Sequence, residues 1–158
     1  MIDLSEISLR SAEQRDLKLL MDWRNESVSR AMSTRTGLIS LEEHTKWYAS
    51  ALKGKNYVIY IALDADQHEL GVISFFIKSK IATVSINLDK NHRGRGIGCS
   101  ILYLGIGQLL IENPDIQIMS ANVKVENTSS INMFKKCGFV IKSFDNELYI
   151  LEKKLRDL

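Results

Sequence analysis

Several things are scarce in this chain. Of its 158 residues two are cysteine (Cys99 and Cys137), three are histidine and one, Pro114, is proline. Two cysteines can pair only once, and without a C-x-x-C spacing they indicate neither a disulfide framework nor a zinc site. A single proline with nine glycines excludes a collagen-like or low-complexity chain. Charge of one sign is also scarce. The 21 Lys and Arg against 19 Asp and Glu leave +2, with no basic run, which gives no basis for nucleic-acid binding. The longest apolar run, Tyr57 to Leu63, falls far short of the roughly 20 residues of a membrane span. The opening MIDLSEISLR is acidic and lacks the apolar core of a signal peptide. The expectation is a cytoplasmic protein of bacterial type with no membrane, nucleic-acid or metal partner.

A composition of 45% hydrophobic and 25% charged residues fits one domain, 1–158, long enough to bury its own core. Ile7 to Arg10 predicts a short strand. Leu17, Leu20 and Met21 share a helical stripe within Asp16 to Asn25. Ser40 followed by Glu43 has the spacing of a capping box and opens a second helix to about Leu52. YVIYIAL and GVISFFI, parted by the polar DADQHE, predict a hairpin, and ATVSINLD (Ala82 to Asp89) a third strand. A strongly apolar helix follows from Gly96 to about Glu112 and stops at Asn113-Pro114. The strand IQIMSANVKV, a helix over Thr128 to Cys137 stopped by Gly138, and a closing hairpin complete the chain. This order predicts an α+β, mixed α/β layer arrangement around one sheet.

The stretch NHRGRGIGCS, Asn91 to Ser100, joins the third strand to the apolar helix. Gly94, Gly96 and Gly98 let the backbone approach a ligand closely, and N–H groups at a helix start plus its dipole favour an anion. Arg93 and Arg95 add guanidinium forks suited to phosphate. The dinucleotide fingerprint does not fit, because Cys99 stands where its third glycine belongs, and the Gly-Lys-Ser/Thr end of a Walker loop is missing. Taken alone, the loop is either an anion site or a plain strand-to-helix turn with solvated arginines.

A family resemblance bears on this choice. Arg93-Gly94-Arg95-Gly96-Ile97-Gly98 is similar to the R/Q-x-x-G-x-G/A motif of the GCN5-related N-acetyltransferases (the GNAT superfamily), in which the loop holds the pyrophosphate of acetyl-CoA. Asn127 to Phe139, with Asn127, Ser130, Phe134 and Gly138-Phe139, resembles the N-x-x-S/A-x-x-x-[YF]-x-x-x-G-F element of the same family. The resemblance covers Tyr57 to the C-terminus, leaving about 11–55 as the acceptor side and about 57–140 as the acetyl-CoA core. It implies a mostly antiparallel sheet with one splayed strand pair and flanking helices. Acetyl-CoA is the implied cosubstrate, with no metal.

Further implications concern single residues. The pantetheine arm would lie in the splay near Ile86 to Leu88, with Leu88 offering the main backbone contact and a backbone N–H facing the acetyl oxygen. Asn127 would bond the arm, or simply cap the next helix. Lys136 would reach a cofactor phosphate, or stay solvated. Phe134 departs from the family pattern: many members carry there a tyrosine that protonates the leaving thiolate, and phenylalanine has no proton to give. With a thiol pKa of about 8.5, water suffices for that step. Glu126, just before Asn127, is the candidate general base, or else an exposed strand-end carboxylate. Cys137 has no partner to activate it, so direct transfer in a ternary complex is expected.

On the acceptor side, Arg24 shares the apolar stripe of Leu17, Leu20 and Met21, so it is either paired internally or lines a site. Trp23 and Arg30 are near it in sequence, and His44 and Trp47 share a helix face. Arginines with tryptophans suit a flat or anionic acceptor. Trp23-Arg24-Asn25, Arg30 with Met32, and Glu42-Glu43-His44-Thr45-Lys46-Trp47 resemble the enzymes that acetylate the 4-amino group of UDP-linked amino sugars in pseudaminic and related nonulosonic acid synthesis. Two alternatives stand beside that acceptor: a ribosomal-protein-type N-terminal acetyltransferase, and a non-catalytic acyl-CoA sensor. The sequence leaves the oligomeric state open and admits a homodimer.

Overall fold

Seven strands form one sheet in the order β1-β2-β3-β4-β5-β7-β6, with helices on both faces. The computed structural model describes residues 2–155; Met1 and residues 156–158, the ends of the expected domain, lie outside it. The strands are β1 (Ser8–Ser11), β2 (Tyr57–Leu63), β3 (Glu69–Lys78), β4 (Ile81–Leu88), β5 (Ile118–Lys124), β6 (Val140–Asp145) and β7 (Leu148–Lys154). The helices are α1 (Leu17–Asn25), α2 (Ser27–Met32), α3 (Leu41–Lys53), α4 (Ile97–Glu112) and α5 (Thr128–Lys136). Most sequence boundaries fall within a residue or two of these. The helix pair expected at the N-terminus is in fact three helices, because the turn MDWRNESVSRAM holds the short α2.

β2 reads as an unbroken apolar run because the sheet is covered on both faces. Its Ile59, Ile61 and Leu63 pack with Leu20, Trp23, Tyr48 and Ala51 of α1 and α3. Tyr60 and Ala62 point the other way, into the larger core that Ile97, Ile101, Leu102 and Leu109 of α4 and Ile131 and Phe134 of α5 fill. At the start of α3 the Glu43 N–H donates to Ser40 Oγ (3.2 Å), while the Glu43 carboxylate pairs with Arg35, so half of the expected capping box forms. Asn146 and Glu147 take positive φ, which supplies the tight turn of the last hairpin.

All strand pairs are antiparallel except β4 with β5. Those two pair only at Ile81↔Ile118, Ala82↔Met119 and Thr83↔Ser120, then part. β4 stays bonded to β3 as far as Leu88, and β5 to β7 as far as Lys124, so each strand is tied on its far side while the gap opens. Asp89 N–H donates to Leu70 O, so alternation along β4 turns the N–H and C=O of Leu88, Ile86 and Val84 toward the gap.

The cysteines correct the expectation of no disulfide: Cys99 of α4 is bonded to Cys137 at the C-cap of α5, with Cα atoms 6.4 Å apart. This occupies the thiol that a ping-pong route would need.

α4 lies flat on β3 because Gly105 has no side chain. A Cβ there would stand 2.6 Å from Ile73 Cδ1 and 3.2 Å from Phe75 Cζ, both on the buried face of β3. Gly105→Val is therefore expected to lower the unfolding free energy by about 1–3 kcal/mol, measured by urea denaturation. Unchanged stability would mean that α4 is not held against β3 as described.

Candidate active site

The parted strands open a cleft of about 540 Å³. Its floor is β4 from Thr83 to Leu88 with Asn122 and Val123 of β5. One end is walled by Gly94, Gly96 and Gly98 with Asn127, Ser129 and Ser130. The other is walled by Arg24 and by Val28, Ser29 and Met32 of α2, continuing into Ser33 and Thr34. α2 crosses the gap as a roof: Ser29 Oγ donates to Asn87 Oδ1 on the β4 side (2.8 Å), and Lys124 Nζ donates to Ala31 O from the β5 side (3.0 Å).

At the loop end, Gly96 is the N-cap of α4 at φ 76°, a left-handed conformation that glycine adopts without strain. No side chain caps α4, so the N–H groups of its first turn remain for a ligand. Gly94 takes φ 73° for the same reason, and Gly98 faces the cleft within that turn. Of the other loop residues, Arg95 is exposed and off the wall, while Ile97 is buried behind the loop in the core. Asn127 caps α5, its Oδ1 accepting from Ser130 N–H at 3.3 Å, and it is also on the wall of the cleft. Lys136, exposed in the last turn of α5, does not line the cleft.

Arg93 lines the cleft, but not as a free charge. Its Nη2 donates to Glu26 Oε2 (2.8 Å) and Ser29 Oγ (2.9 Å). The Arg93 guanidinium, aided by the N–H groups of Ser29 and Val28, holds the Glu26 carboxyl at about 2. A carboxyl whose pKa falls on folding stabilises above its unfolded value and loses that contribution as pH falls through the folded one. The pair therefore persists at every pH above about 4.5 and fails only as pH approaches 2. Glu26 and Ser29 escaped the sequence reading, since glutamate is not a favoured helix cap. Their signal was an acidic residue opening a short helix two positions after Arg24.

Arg24 is half-buried on the wall, with Nη1 donating to Ser33 Oγ at 2.9 Å. Burial, with Arg35 nearby, lowers its pKa from the usual guanidinium value. Among the described residues no carboxylate pairs with it.

Four acceptor-side expectations require correction. Trp23 is buried and donates Nε1–H to Asp89 Oδ2 (2.9 Å), because α1 must anchor on the end of β4. His44 is buried too, its Nε2–H donating to Leu17 O (2.9 Å) to hold α3 against α1. Trp47 packs edge-on against Tyr57 at 5.7 Å, away from the cleft. Arg30 spends its Nε–H on Asn25 O (3.1 Å) and is off the wall.

Glu126, expected as the base, is exposed in the turn after β5 and does not line the cleft. Phe134 is on the wall and buried, its ring 5.0 Å from that of Phe139. No carboxylate, histidine, thiol, amine or phenol of the described residues lines the cleft.

The parted sheet offers unpaired backbone groups along a gap that runs onto a glycine loop with free helix-start N–H groups, a layout suited to an extended ligand that carries amides and an anion. A family model described as "Acetyltransferase (GNAT) domain" matches residues 6–140, and the chain belongs to that family of acetyl-CoA-dependent acetyltransferases. A Bacillus subtilis (strain 168) protein, YwnH, whose name gives it as a candidate phosphinothricin acetyltransferase, is 27% identical over 96% of this chain and 99% of its own. A spermidine N-acetyltransferase from Vibrio cholerae, solved in complex with CoA and spermine, shares the fold at TM-score 0.85. That match has 18% identity and covers 95% of this chain and 96% of that one. A domain from Methanocaldococcus jannaschii DSM 2661 matches at TM-score 0.83 and 23% identity over 94% of this chain and 98% of its own.

In Gly96→Asp an added Cβ meets nothing within 4 Å, but at φ 76° the new side chain carries backbone strain, and its carboxylate would stand beside the uncapped N–H groups of α4. Loss of acetyl-CoA binding by titration calorimetry, with the circular dichroism of the folded chain kept, is the expected result. Unchanged affinity would remove the loop from the cofactor site.

Proposed function

We propose that the chain transfers acetyl from acetyl-CoA directly to the primary amine of a small molecule that also carries an anionic group. The observation that carries this reading is the wall charge at the acceptor end: a half-buried Arg24 without a carboxylate partner, and no carboxylate anywhere on the cleft among the described residues. A polyamine, the acceptor in the name of the Vibrio cholerae neighbour, would bring several positive charges to that wall uncompensated. A UDP-linked amino sugar, acetylated at its 4-amino group, satisfies the charge requirement, and of the N-terminal pattern that resembles its enzymes Arg24 and Met32 line the cleft. Phosphinothricin, named for the Bacillus subtilis relative, likewise joins an amine to acidic groups.

In this reading the α4 N–H groups and the glycine loop hold the pyrophosphate, and the gap-facing groups of Leu88 and Ile86 hold the arm. The acceptor nitrogen attacks the acetyl carbonyl, the carbon–sulfur bond breaks, and coenzyme A leaves as its thiolate. Phe134 on the wall has no proton to donate, so solvent protonates the thiolate. The amine proton goes to solvent as well. Arg24 fixes the distant anion and thereby aims the amine.

Thiol release from acetyl-CoA, with a UDP-4-amino sugar, phosphinothricin, spermidine and an N-terminal peptide offered separately, tests the acceptor class. Turnover with an anionic amine is expected, and Arg24→Gln should raise its KM by about tenfold to a hundredfold, the loss of one charged hydrogen bond. Turnover with spermidine or the peptide alone would overturn the anionic class.

The empty roster of acid–base groups on the wall sets the pH response. The kcat/KM is expected to rise with pH to an inflection at the acceptor's own amine pKa, moving when an acceptor of different basicity is used. An inflection that stays fixed across acceptors and disappears in Glu126→Gln would instead make Glu126 the base.

A further inference from the structure

We propose that Glu26 is a positioning residue that couples the cofactor loop to α2, so that binding of coenzyme A sets the roof of the acceptor end. This rests on the reading that the cleft takes acetyl-CoA.

Three observations support it. First, α2 has six residues, too few to hold helical form unaided, so its order depends on what ties it down. Glu26 is the tie at its start, with Oε1 accepting from Val28 N–H (3.2 Å) and Oε2 from Ser29 N–H (3.0 Å). Second, the same Oε2 accepts from Arg93 Nη2, the arginine that opens the glycine loop 67 residues later in the chain. Third, Arg93 spends one nitrogen on both of its α2 contacts. Its Nε and Nη1 bond no other described residue, although the side chain lines the cleft. A guanidinium is a rigid plane with five donors, so one corner can hold α2 while another grips a pyrophosphate oxygen. Fixing Arg93 from the cofactor side then removes its freedom on the α2 side. α2 in turn carries Val28, Ser29 and Met32, which line the acceptor end next to Arg24. The consequence is an order of events: an acceptor arriving before coenzyme A meets a loosely held roof, and one arriving after it meets a set wall.

Hydrogen–deuterium exchange of the full chain with and without coenzyme A tests the coupling. In the unsubstituted protein the ligand is expected to slow exchange both in the loop, residues 93–98, and in α2, residues 27–32. Glu26→Gln keeps an oxygen that can cap α2 but removes the charge facing Arg93. It should retain protection in the loop and lose it in α2. Arg93→Lys, whose single ammonium cannot serve both sides, should give the same loss with Glu26 intact. Each substitution should weaken coenzyme A binding by about threefold to tenfold, and the double variant should be no weaker than the worse single one, because both break one link. A capping role alone predicts instead that the two effects multiply. Multiplying effects, or α2 protection in Glu26→Gln equal to that of the unsubstituted protein, would overturn the proposal. Absence of loop protection in the unsubstituted protein would overturn the reading of the cleft itself, and the coupling with it.

Discussion

After three residue pairs, the parallel pairing of β4 and β5 stops, while both strands stay fully bonded on their outer sides. Buried backbone N–H and C=O groups demand partners, so a sheet that leaves a row of them facing a gap is either defective or made to receive one. Here the gap is held open from several directions. β3 and β7 fix the two strands, α4 starts at its mouth, and α2 crosses above it. Everything else about the site follows from where that opening leads: at one end a helix start that lacks its own cap, at the other a guanidinium without a carboxylate.

The charges around the cleft divide by burial. Arg35 and Glu43 pair in the open, and Lys18 with Asp22 and Lys46 with Glu42 are exposed i,i+4 pairs worth little to stability. Glu26 and Arg93 are more enclosed, and their contact joins two segments that bracket the cleft. Arg24 is the exception, desolvated and bonded only to a hydroxyl. A half-buried charge in that condition is well placed to accept a ligand's anionic group.

Those aromatics show where linear proximity misleads. Trp23 is adjacent to Arg24, yet a helix turns successive side chains by about 100°, so one faces β4 and the other the cleft. His44 and Trp47 share a face of α3, but α3 packs on α1 and β2, remote from the gap. Glu126 precedes a wall residue, Asn127, and is itself exposed and off the wall. Phe134 is the opposite case, an identity read from the chain whose meaning, a wall without a proton donor, needed the neighbours to be seen.

By itself the sequence determined the elements and the glycine-loop end of the cleft. Apolar periodicity, the glycines of Asn91 to Ser100 and the Asn127 to Phe139 element are local patterns, and their physics is local too: a left-handed φ at Gly96, an uncapped helix start, a cap at Asn127. Only the tertiary structure decided which residues line the end of the cleft beside α2. Strand order, the point at which β4 and β5 part, the pairing of Cys99 with Cys137, and the link from Glu26 to Arg93 across 67 positions depend on contacts between segments far apart in the chain. Whether an arginine is paired or left facing a cleft is set by which carboxylates come within reach once those segments pack, and no spacing along the chain encodes that distance.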